Sequence, residues 1–222
     1  MKLVIFFRNY LVAFKLQKID DSLIKEHIHL SKSDNCYFFG DYVGKQGYHY
    51  SAMNQLIHNF KKPIEKQKNP LEWKYKQDAV VEISNMLCGV DIWQAVINYM
   101  WVPVPPSKLK TNQEYDDRLI LVLKKLQKKE VHFDFRELLS IKTEKEPAHL
   151  SSVKRCPDDH LNNLIFDETK QEPTPKGIVI FDDVITTGAT FKAAKSVLAG
   201  NYPRIPIIGI FVARSIRKIG FE

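Results

Sequence analysis

Cysteine is scarce in this chain: three in 222 residues, Cys36, Cys88 and Cys156, with no two spaced as C-x-x-C. A sparse, odd set excludes both a disulfide framework and a four-thiolate zinc site, and points to a cytoplasmic setting with free thiols. Long apolar runs are also missing. The opening MKLVIFFRNYLVAF is interrupted at Arg8 and Asn9, and no small-x-small cleavage pattern follows. It is therefore expected to be a strand packed on the body of the protein, not a signal peptide. Nothing else approaches the roughly 20 apolar residues of a membrane span. There are no internal repeats and no low-complexity tract. Two phosphate-binding signatures are absent as well, G-x-x-x-x-G-K-[ST] and G-x-G-x-x-G, which excludes those nucleotide loops.

What remains is an ordinary globular composition, 44% hydrophobic and 27% charged, with a net charge of +7. The positive balance favours an anionic partner, and a phosphorylated small molecule and a nucleic acid both qualify. Ala52, Met53, Leu56, Ile57 and Phe60 recur at helical spacing, and a second helix is expected over residues 72–87, with Gly89 at its stop. Residues 99–104 (YMWVPV) read as a strand and 115–129 as a helix. Residues 131–141 read as a strand, and 142–176, with Pro147, Pro157, Pro173 and Pro175, mainly as loop. Strand 177–181, helix 190–198 and strand 205–213 complete the chain. Strands apolar on both faces and alternating with helices imply a parallel sheet covered on both sides. The expected division is an N-terminal hood over residues 1–98 and an α/β core over 99–222.

The segment GIVIFDDVITTGATFKAAKSVL carries the chemistry. A buried strand runs into two adjacent carboxylates, Asp182 and Asp183, and a loop of small and hydroxyl residues, Thr186, Thr187, Gly188, Ala189 and Thr190, opens into a helix. Ligands of open α/β sheets sit beyond the carboxyl ends of the strands. A helix start offers unpaired N–H groups and partial positive charge, so a phosphate belongs there. Neighbouring acids need donors, such as sugar hydroxyls or a cation. A phosphate and a vicinal diol on one ligand would satisfy both, which is ribose-5-phosphate chemistry. The plainer reading is an acidic turn followed by a helix N-cap.

VIFDDVITTGAT resembles the signature of type I phosphoribosyltransferases, an apolar strand, two acids and a T-T-G-x-T phosphate loop. The resemblance implies that fold, a parallel sheet flanked by helices with an N-terminal hood. It also implies that Asp182 and Asp183 are the catalytic, ribose-contacting pair and that residues 186–190 cradle the 5-phosphate. WVPVPPSK lies where the family places its pyrophosphate loop, so Pro106, Ser107 and Lys108 would meet the pyrophosphate. Residues 142–176 occupy the place of the family's mobile loop, with Arg155 as its candidate contact. Within the family, LIHNFKK, VPVP and SSVKRCPDDHLNNLIF are similar in order to the competence-protein ComF branch. The zinc-binding cysteine pairs common there are missing, and NQEYDDRL replaces its R-G-F-N-Q segment. Asp116, Asp117 and Arg118 thus stand at that position, with Asp116 equally a helix N-cap.

The implied ligand is phosphoribosyl pyrophosphate or ribose 5-phosphate, with magnesium bound mainly through the pyrophosphate rather than in a protein cage. The implied reaction, in nucleotide metabolism, is phosphoribosyl transfer to a nitrogenous acceptor. Thr186 stands where 6-oxopurine salvage relatives carry an acidic general base, so that acceptor class is not expected. Two alternatives stay open. One is a non-catalytic sensor of phosphoribosyl pyrophosphate. The other is a ComF-like protein associated with nucleic acid through Lys61, Lys62, Lys66, Lys68, Lys74 and Lys76, a run that equally fits a solvated face. Oligomeric state is left open.

Overall fold

A computed structural model describes residues 14–144 and 156–216. The opening run expected to form a strand, MKLVIFFRNYLVAF, lies outside the described residues except for Phe14, and Arg155 also lies outside them. Among the described residues no helix is long and apolar enough to cross a membrane.

The centre of the molecule is a five-stranded sheet in the order β1-β2-β7-β6-β3. These strands are Gln17–Lys18 (β1), Asn35–Tyr42 (β2), Met100–Pro103 (β3), Ile178–Ile185 (β6) and Ile207–Ser215 (β7). β2, β7, β6 and β3 run parallel, and β1 joins β2 antiparallel. Ile178, Val179, Ile180 and Phe181 are all fully buried, as are Trp101 and Val102 beside them, because helices cover both faces. The chain is thus an α/β protein with a mostly parallel mixed sheet flanked by helices.

β2 precedes residue 98 and hydrogen-bonds to β7 along most of its length, from Asn35↔Ile208 to Tyr42↔Ser215. The sheet therefore crosses the expected boundary at residues 98/99. Helix α1 (Ala52–Phe60) begins at Ser51, whose hydroxyl accepts from the Asn54 amide at 3.0 Å. Helix α2 (Pro70–Cys88) has proline at its first position and Asn69 capping Leu71 at 3.1 Å. A short α3 (Trp93–Val96) precedes β3 and places Trp93 near Trp101 and Phe133. Helix α4 spans Arg118–Lys129 and α6 spans Ala189–Asn201.

Two expectations are corrected. Residues 131–141 are not one strand. Phe135 makes a single parallel bridge to Trp101, and the strand proper is only Leu139–Ile141 (β4). Arg136 interrupts it: the guanidinium turns inward onto the Lys170 and Gln171 carbonyls at 3.2 and 2.8 Å. Most described residues of 142–176 lie outside helices and strands, as expected, but not all of them. The segment holds α5 (Pro157–Leu161) and β5 (Leu164–Phe166), and β5 pairs antiparallel with β4 in a second, two-stranded sheet. Strand β6 also runs four residues beyond the expected end at Phe181, so both acids lie within it.

Candidate functional site

Parallel pairing sets the frame of the site. Pro103 of β3 lies opposite Phe181 of β6, and the Val104 amide donates to the Phe181 carbonyl at 3.0 Å. Both chains leave the sheet's core on the same side, so the Pro105-Pro106 turn and the Asp182-Asp183 pair become neighbours. Between them lies a cleft of about 820 Å³, bordered by Asp182, Asp183, Pro106, Ser107, Lys108 and Thr190. Leu139, Ile141 and Leu164 of the β4–β5 hairpin, with His160 and Asn163 nearby, border it as well. The acids, the turn and Thr190, the last residue of the expected phosphate loop, thus meet at one cavity.

The two acids are not equivalent. Asp183 is 5% exposed. One carboxylate oxygen accepts from Arg118 Nε at 2.9 Å and from Arg118 Nη2, and the other lies 3.0 Å from Lys61 Nζ. Burial alone would raise its pKa, but Lys61 and Arg118 override this and hold it well below the usual carboxylate range. Asp182 has neither cation in hydrogen-bond contact. Burial and the charge of Asp183 push its pKa up, and its Oδ1 accepts from the Asp183 amide at 2.7 Å. One acid is anchored as an anion, and the other faces the cleft with a weakened hold on its charge.

Arg118 is the hinge of this arrangement. Its Nη1 donates to Asp116 Oδ2 at 2.7 Å, and Lys76 Nζ meets the same oxygen at 2.8 Å. Lys76 is 1% exposed and completes its donors on the Phe60 and Lys62 carbonyls, at 3.1 and 2.9 Å. Burial lowers its pKa and Asp116 opposes that. A chain of alternating charge, Lys76, Asp116, Arg118, Asp183 and Lys61, therefore links α1, α2 and α4 to β6. The helix N-cap is Asp117, without a side-chain cap bond, rather than Asp116. Asp117 and Tyr115 also border the cleft. Burial raises both pKa values, that of Tyr115 to about 12.

The expected phosphate loop is held from behind. His27, fully buried, donates from Nδ1 to the Thr186 carbonyl, and the His29 amide donates to the Thr187 carbonyl at 3.0 Å. Gly188 has φ +86°, and a Cβ there would stand 2.8 Å from Leu30 Cδ2, so glycine is required on two counts. Thr190 borders the cleft, whereas Thr186, Thr187, Gly188 and Ala189 do not. Helix α6 starts at Ala189, and its first-turn amides lack intrahelical partners.

The turn after β3 carries its own contacts. Lys108 lies 3.4 Å from Glu114 and 3.6 Å from Glu144, and Lys110 pairs with Glu137. Among the described residues no group of three or more His, Cys, Asp or Glu converges as a metal cage. Of the six lysines considered for nucleic acid, Lys76 is buried and Lys61 sits on Asp183. Lys66 and Lys74 pair with Glu72 and Asp78, and Lys62 lies over the Tyr75 ring. Sequence reasoning had weighed Lys61 and Lys76 only as surface charge, because their partners lie 40 to 122 residues away. Compared with known proteins, the chain matches no protein-family model, and no curated protein is significantly similar to it.

Proposed function

We propose that this chain is a type I phosphoribosyltransferase-like protein that binds phosphoribosyl pyrophosphate in the cleft and transfers phosphoribosyl to a nitrogenous acceptor. The observation that carries the reading is the convergence, in one cleft, of Asp182, the Pro106-Ser107-Lys108 turn and the start of α6. That position lies beyond the carboxyl end of β3 and beside the last residues of β6, the side of the sheet where α/β proteins bind ligands. The ribose diol would donate to Asp182, the pyrophosphate would meet the turn, and the 5-phosphate would take amides at the start of α6.

In the transfer, the bond from C1 of the sugar to the pyrophosphate oxygen breaks and its electron pair leaves with pyrophosphate. The acceptor nitrogen forms the new bond to C1 and then loses a proton. Magnesium, carried on the phosphates, would supply charge neutralisation of the leaving group. Asp182 would hold the sugar in place, and Arg118 with Lys61 would keep the floor beneath it from becoming doubly negative. The apolar wall of Leu139, Ile141 and Leu164 would restrict water. A cytoplasmic setting fits the three free thiols.

One observation favours the sensor alternative: both oxygens of Asp183 are already engaged, leaving a single acid for the ligand. Titration calorimetry with phosphoribosyl pyrophosphate and magnesium tests binding, and Asp182→Asn is expected to weaken it at least tenfold. Pyrophosphate release with a panel of nitrogenous bases then separates transferase from sensor. Undiminished binding by Asp182→Asn would remove the ribose assignment.

A further inference from the structure

The turn after β3 holds an anion in this structure, and that anion is part of the protein. The Glu144 carboxylate accepts from the Leu109 amide at 3.2 Å and from Asn112 Nδ2 at 2.7 and 3.0 Å, with Lys108 Nζ 3.6 Å away. A backbone N–H, a side-chain amide and an ammonium thus converge on one pair of oxygens. These donors are those a phosphate group uses; Lys108 and Leu109 border the cleft beside Asp182, and Asn112 and Glu144 adjoin them from outside its lining. The Asn112 carbonyl oxygen is occupied by the Glu114 amide at 2.8 Å, which presents the NH₂ group to the site.

We infer that Lys108, Leu109 N–H and Asn112 form a phosphate-binding site that Glu144 fills with its own carboxylate, so that Glu144 competes with any phosphorylated ligand of the cleft. The inference deepens the proposed function, since it concerns the pyrophosphate end of that same cleft. A carboxylate and a phosphate oxygen pair offer these donors similar geometry, but a diphosphate carries more charge and can displace the carboxylate. The hydrogen bonds from Asn112 and Leu109 lower the Glu144 pKa, so the carboxylate stays an anion throughout the neutral range. Glu144 is about one-third exposed and can swing into solvent when displaced. Two acids, Glu114 and Glu144, flank Lys108, so removal of one leaves the lysine paired.

Inorganic pyrophosphate, titrated into the full chain by calorimetry, isolates this end of the cleft from the acidic pair. A bound state blocked by an internal competitor loses affinity in proportion to the blocked fraction. With an exposed contact of ordinary strength, Glu144→Gln should bind pyrophosphate about fivefold tighter than the parent chain. Lys108→Ala or Asn112→Ala, added to Glu144→Gln, should abolish the gain. Glu168→Gln, an exposed acid that bonds to none of Lys108, Leu109 and Asn112, should leave affinity unchanged and so controls for net charge. Equal or weaker pyrophosphate binding by both Glu144→Gln and Glu144→Ala overturns the inference, as does an equal gain in Glu168→Gln. These results are separable from the reading above. Phosphoribosyl pyrophosphate binding that depends on Asp182 but ignores Glu144 sinks the competitor alone. A Glu144 effect on pyrophosphate without any Asp182 effect on phosphoribosyl pyrophosphate sinks the ribose assignment alone.

Discussion

Asp182 and Asp183 look interchangeable in a sequence, yet their neighbours give them opposite behaviour. Removing the charge of Asp183 strands Arg118 and Lys61 over a buried amide, and breaking such a pair costs about 3 kcal/mol. Asp183→Asn is therefore expected to lower stability by that amount in urea denaturation at pH 7. Asp182→Asn should not lower stability at pH 7 and should raise it, because it removes a charge that burial and Asp183 disfavour, and it should weaken ligand binding. Because the native Asp182 pKa is raised above its ordinary 3.8, the folded chain holds a proton there that the unfolded chain has released. That contribution lowers stability as pH rises above 3.8, and Asp182→Asn should flatten the slope.

Asp34 shows the converse. Its carboxylate accepts from Lys192 and Lys195 of α6, at 2.9 and 2.6 Å, and from Ser31. Burial works against its charge, but these donors outweigh it and hold the pKa at about 2. Its stabilisation is complete above pH 3.8 and is lost as pH falls towards 2, a change of about 2 kcal/mol. Acid titration of Asp34→Asn against the parent chain should show the difference vanish at low pH.

At the scale of elements, the loop between β6 and α6 depends on one backbone conformation. Gly188→Ala forces a left-handed Cβ against Leu30, with an expected loss of about 1–3 kcal/mol. Ligand binding should fall further than stability predicts, because the amides at the start of α6 would move with the loop. Calorimetry on the variant beside its denaturation curve measures both. The elements themselves were legible to different degrees. α1 and α2 carried local signals, apolar spacing and the Gly89 stop, and their observed spans differ from expectation by two residues or fewer. β4 is the end of the strand expected over 131–141, whereas β5 carried no local signal, since the two pair across about 25 residues and that pairing makes strands of three residues each. In the sequence the acidic pair reads as the end of a strand because charges usually end one. It lies inside β6 because β7 extends alongside, with Asp182 opposite Phe211 and Ile185 opposite Arg214.

Across the whole molecule, the sheet is continuous between β2 and β7. Residues 99–222 alone would expose the edge of β7, whose residues from Ile210 to Ala213 are buried. That fragment is expected to lack a cooperative thermal transition, and to aggregate, while the full chain melts cooperatively by circular dichroism. A cooperative melt of the fragment would show that the core is independent of β2.

The sequence by itself determined the mostly parallel α/β character, the places of α1 and α2, and the order of acids, threonines and glycine, because these follow from local periodicity and backbone preference. Only the tertiary structure decided that Asp183 is bound to Arg118 and Lys61, that Lys76 is buried, and that Glu144 lies on the turn after β3. Each of those rests on an electrostatic contact between residues 32 or more positions apart, set by where the sheet and helices bring them and invisible to any local pattern.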